Sequence, residues 1–123
     1  MDKTLKPHLR TTSLALFLIG APFLLAGEPE LTGNPHRDWD NVCANCHGKN
    51  GNGRDAGGRT LKDAGFDFTD SESANARRNS DWTRIIRNGK NKMPAFKGMS
   101  DAEVKAMIAE VLRPFAAPMG SKP

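Results

Sequence analysis

The chain has 123 residues, a length that supports one domain. Eighteen basic and fourteen acidic side chains leave a net charge of +4, and residues 1–26 hold three of the bases and one of the acids, so the remainder carries only +2. So small an excess gives no electrostatic footprint for nucleic acid, which excludes that partner class.

The chain opens on a basic head, Lys3, Lys6 and Arg10, followed by an apolar run from Leu14 to Leu25 and the small pair Ala26-Gly27 before acidic Glu28-Pro29-Glu30. This is the layout of a secretory signal. The run is about twelve residues and contains Pro22, whereas a bilayer span needs about twenty. Residues 1–26 are expected to be a signal peptide and residues 27–123 the exported domain, periplasmic and without stable membrane insertion after cleavage. Leu24 is less typical than alanine three residues before the cut, which leaves an uncleaved tether as the alternative.

Asn34-Pro35 predicts a helix start, with an N-cap and a proline at the first helical position. The helix carries Trp39 and Val42 toward Cys43-Ala44-Asn45-Cys46-His47, which has the spacing of a c-type haem attachment site. Each thiol can add across a haem vinyl group to give a thioether, and the adjacent imidazole then reaches the iron. One such motif predicts one covalent haem c. A structural zinc site needs about four ligands, and beyond the motif the chain offers only His8 and His36. A redox Cys-x-x-Cys belongs beside a βαβ pattern, yet the flanks here are rich in Gly, Asn and Arg. A simple disulfide leaves His47 without a role. About 97 mature residues bury a limited core, and a large apolar cofactor offsets that deficit.

Residues 48–60 hold five glycines and no large apolar side chain, so they predict a loop. Glycine permits close approach of backbone to a flat cofactor, and a loose surface loop fits the composition equally well. Phe66-Asp67-Phe68 follows, its alternating aromatics suited to one side of a haem pocket or to pinning the loop on the core. Ser80-Asp81 predicts a cap and an acidic first turn for a helix through Trp82, Ile85 and Ile86, stopped by Gly89. Ser100-Asp101-Ala102-Glu103 is a capping box, and Val104, Met107, Ile108, Val111 and Leu112 recur at helical spacing up to Pro114. Strand alternation is absent throughout.

A haem iron with one protein ligand raises the question of the other. Of five methionines, Met1 falls in the signal, Met107 on the apolar helix face and Met119 in a Pro/Gly tail. Met93 stands in Asn91-Lys92-Met93-Pro94-Ala95-Phe96, past a helix stop and before a proline. Met99 and His36 are its rivals.

The Cys-Ala-Asn-Cys-His-Gly start, the Asn88-Gly89 turn, Met93-Pro94-Ala95-Phe96 and the capped last helix resemble a class I cytochrome c over about residues 33–115. The chain is similar in particular to the haem domains of oxidase subunit III and to small soluble cytochromes related to them. The resemblance implies thioethers at Cys43 and Cys46, His47 as proximal ligand and Met93 as distal ligand. It also implies an all-α fold, that of class I cytochrome c, in which the first and last helices cross around one covalent haem, through Trp39 and the face ending near Phe115. With no tyrosine in the chain, Trp82, Arg59 and Asn52 are the candidate propionate contacts.

The function expected is a periplasmic electron carrier cycling Fe(II) and Fe(III), because the polypeptide carries no serine nucleophile motif, second metal set or nucleotide fingerprint of an enzyme. A dedicated subunit of a dehydrogenase or reductase complex is one alternative. A small-ligand sensor with a labile Met93 is the other. Arg84, Arg87, Lys90, Lys92 and Lys97, with no acid between them, and Lys49 predict a positive patch for an acidic redox partner.

Overall fold

Asn34 starts the first helix, its side chain accepting from the Arg37 backbone N–H at 3.0 Å while Pro35 fills the first turn, where a missing N–H is harmless. The computed structural model describes residues 30–118 together with residue 20, so the expected signal segment and Met119 lie outside the described residues. Helix α1, residues 35–47, is α-helical over Pro35–Asp38, widens to π geometry over Trp39–Cys43 and returns to α over Ala44–His47. The Ala44 N–H reaches back five residues to the Trp39 carbonyl. Gly48, at φ 74°, ends the helix directly after His47, so the motif is delivered at a helix end as expected.

The segment between Thr69 and Asn79 holds α2, Ser71–Asn75, whose N-cap Asp70 accepts from the Ser73 N–H at 3.3 Å. Helix α3 spans Asn79–Asn88. It begins ahead of the expected Ser80 cap: Arg78 is the N-cap residue, and Asp81 in the first turn accepts from the Arg78 backbone N–H at 3.1 Å. The acid, rather than the serine, secures this end. Helix α4, residues 101–116, opens on the predicted capping box, with the Ser100 N–H donating to Glu103 at 2.6 Å and the Glu103 N–H donating to Ser100 Oγ at 3.2 Å. It too widens, over Met107–Leu112, before α-helical Arg113–Ala116. The widened turn abuts Pro114, which has no N–H to offer, and the chain stays helical through it.

Helix α1 packs on the widened part of α4, α2 on its last turn and α3 along its first part. Trp39, Phe68, Trp82, Ile86, Met99, Val104, Met107, Ile108, Val111 and Leu112 form most of the core, each contributing roughly 1.5–3 kcal/mol through burial. The expected contact of first and last helices is present, with the Trp39 and Phe115 rings 5.1 Å apart between centroids. Asp38, only 2% exposed, is satisfied by the Thr32 N–H at 2.7 Å, its hydroxyl at 2.6 Å and the Gly33 N–H at 3.1 Å. Extended pairing among the described residues is limited to isolated bridges, Arg54 with Thr60 and Lys90 with Met93. No helix of the described residues is long and apolar enough to cross a membrane.

Candidate metal centre

Cys43 and Cys46 stand one turn apart at the end of α1, on neighbouring positions of the helix surface. Both thiols are free. Cys46 is exposed and Cys43 half-buried, and burial, reinforced by the negative charge of Asp38, pushes the Cys43 thiol up to about 11. A nucleophilic redox cysteine needs the opposite shift. Cys43 therefore lacks the lowered pKa of a redox-active thiol.

His47 is half-buried, and desolvation holds its imidazole below the usual histidine range, so the ring is neutral at pH 7. Its Nδ1 lies 3.2 Å from the Phe66 carbonyl. With Nδ1–H donating to that oxygen, the lone pair is on Nε2, the arrangement that orients a histidine for a metal. The ring is packed by Phe68 at 5.1 Å and Trp39 at 5.8 Å between centroids. Phe68, 6% exposed, is buried against Phe66 at 5.2 Å and Trp82 at 5.6 Å between centroids.

The glycine-rich stretch is bonded to the motif instead of hanging loose. Gly53 N–H donates to the His47 carbonyl at 2.7 Å, Gly65 N–H to Cys46 at 2.8 Å and Phe68 N–H to Gly51 at 2.8 Å. At Gly65 a Cβ would stand 2.4 Å from His47 Nδ1 and Cε1. Only glycine lets the backbone lie so close to the imidazole that the next carbonyl reaches Nδ1. Gly51 plays the same part at φ 73°, where a Cβ would meet the Phe115 ring at 2.7 Å.

Met93 sits on a tight turn after α3, with Lys90 N–H donating to the Met93 carbonyl at 3.1 Å and the Met93 N–H returning to Lys90 at 2.9 Å. Asn91 supplies the turn at φ 53°. The Phe96 N–H donates to Ile86 at 2.8 Å, and Arg87 donates to the Met99 carbonyl and pairs with Asp101. Lys92 bonds Asp63, which raises its pKa. The Met93 turn is thus tied to the segment that carries Gly65.

The other candidates fall elsewhere. Met99, 5% exposed, and Met107 are core residues. His36 is exposed at the opposite end of α1, beside a crevice it shares with Lys49, Glu110 and Phe115. Asn52 accepts from the Arg54 N–H at 3.1 Å through its amide oxygen, Arg59 pairs with Asp55 at 3.0 Å through Nε, and the buried Nε1 of Trp82 has no hydrogen-bond partner. The positive stretch is partly neutralised: Arg84 pairs with Asp81 at 3.6 Å, Arg87 with Asp101 and Lys92 with Asp63. Lys90 and Lys97 are exposed beside Met93.

The family model described as cytochrome C oxidase, cbb3-type, subunit III matches residues 31–109. No curated protein matches the chain.

Proposed function

The chain belongs to the family of cytochrome c oxidase cbb3-type subunit III, a cytochrome c family whose domains carry haem for electron transfer, and on that premise we propose that it is a single-haem electron carrier with His47 and Met93 as iron ligands. The observation that carries the reading is His47: a neutral imidazole one residue after two free thiols, its Nδ1 committed to the Phe66 carbonyl and its Nε2 available. Cys43 and Cys46 would hold the haem through thioethers, and the bound group would supply the Fe(II)/Fe(III) couple. Phe66 fixes the imidazole plane, and Phe68 and Trp39 exclude water from it. Keeping both ligands in place through the cycle limits reorganisation.

Met93 is preferred to Met99 because it is half-buried on an anchored turn, whereas Met99 is spent on the core. The anchors on that turn also favour a carrier over a sensor, which needs the ligand to leave. The first test is a redox titration of the haem-loaded protein. One electron per haem, taken up and returned reversibly without binding of carbon monoxide, is expected; carbon monoxide binding to the reduced protein would support the sensor. The description of the matched family favours a second reading, an electron-transfer subunit of a larger oxidoreductase, with the same chemistry at the site. Export to the periplasm, with residues 1–26 as the signal, accompanies the proposal.

Lys90 and Lys97, exposed on either side of Met93, join exposed Lys49 as charges of the patch that can steer an acidic redox partner. Salt screens such steering over a Debye length of about 10 Å at 0.1 M. The second-order rate with an acidic acceptor is therefore expected to fall as salt rises in stopped-flow traces, and Lys90→Glu with Lys97→Glu to flatten the dependence. A rate indifferent to salt in the parent protein would remove the docking role.

A further inference from the structure

The Phe66 carbonyl that engages His47 belongs to a residue whose side chain is itself gripped. The Arg77 guanidinium lies 4.7 Å from the centre of the Phe66 ring, and Phe68 meets the same ring edge-on at 5.2 Å. Arg77 is half-buried, and its backbone is held at both its N–H and its carbonyl. Its N–H donates to the Ala74 carbonyl at 3.2 Å, and its own carbonyl accepts from Arg113 Nη2 at 2.7 Å. Arg113, on the last turn of α4, is anchored in turn by Asn79 at 2.8 Å and by its guanidinium resting 4.1 Å from the Trp82 ring centre. A continuous set of contacts therefore runs from α4 through Arg113 and Arg77 to Phe66, and from the Phe66 carbonyl to His47 Nδ1.

We propose that Arg77 is a positioning residue for His47, acting through the Phe66 ring to hold the Phe66 carbonyl on Nδ1. The proposal rests on the reading of His47 as an iron ligand and adds a determinant of how strongly that ligand donates. A histidine whose Nδ1–H is hydrogen-bonded is the more basic donor and favours the ferric state. Loosening the carbonyl should weaken donation and raise the reduction potential. Replacing arginine by lysine keeps the charge but removes the planar guanidinium that stacks on the ring, which weakens the contact.

The test uses the haem-loaded protein carrying Arg77→Lys, Phe66→Leu or both. Exchange of the His47 Nδ1 proton with solvent, followed by nuclear magnetic resonance, is expected to quicken roughly two- to fivefold in each single variant. The potential is expected to rise in each. Because Phe66→Leu already removes the ring that Arg77 touches, the double variant should go little further than Phe66→Leu alone. Unchanged exchange and potential in both single variants, with or without a lower melting temperature, overturn the proposal, and so do fully additive effects. Failure of the underlying reading looks different, since the parent protein would then hold no covalent haem.

Discussion

A chain with alanine at both Cys43 and Cys46 is expected to lose its haem completely on a denaturing gel, while the parent keeps it and runs at the mass of polypeptide plus one haem. The reasoning starts from bond type. Denaturant dissolves the packing that Trp39, His47 and Phe68 provide, and ligand bonds from a histidine and a methionine do not survive unfolding. Thioethers do. With only one of the thiols replaced, the other still tethers the haem, so single variants should retain it. The double variant should also melt at a lower temperature, because a chain of this size has little core to spare and the haem's apolar surface is part of what it buries. Intact mass and in-gel haem staining check the result. Haem that washes out of the parent, or stays on the double variant, refutes covalent attachment.

The parts of this molecule that could be read from the chain are those encoded within a few residues. The attachment motif, the Gly89 stop before Met93, the Ser100 capping box and the apolar face from Val104 to Leu112 are local patterns, and each stands where the pattern puts it. What escaped reading depends on distant partners. No local signal says that Gly65 must be bare because His47 lies over it, or that the Phe66 carbonyl rather than its ring engages the imidazole. A glycine just before an aromatic pair was the one available clue. The basic stretch reads as a patch because its acids are remote in sequence: Asp63 reaches Lys92, and Asp101 reaches Arg87, only after folding. The widened turns in α1 and α4 also lie beyond periodicity, since a single extra residue per turn shifts a helix face without erasing its apolar pattern.

Met93→Ala is expected to open the sixth coordination position while leaving the fold standing. The turn that carries Met93 is held by groups other than its thioether: the paired backbone of Lys90 and Met93, the Phe96 N–H on Ile86, Arg87 on Met99 and Lys92 on Asp63. Truncating the side chain leaves all of these in place, so the loss falls on the metal. Cyanide should then bind the oxidised protein and carbon monoxide the reduced protein, the potential should fall as a soft ligand favouring Fe(II) is removed, and the methionine-to-iron absorption band of the oxidised form should vanish. Met99→Ala makes the opposite division. Its side chain is buried in the core, so its removal costs about 2–5 kcal/mol of stability while the spectrum and the ligand-binding behaviour stay those of the parent. Parallel denaturation curves and ligand titrations separate the two variants. If Met99→Ala opens the iron and Met93→Ala only destabilises, the methionine assignment is wrong.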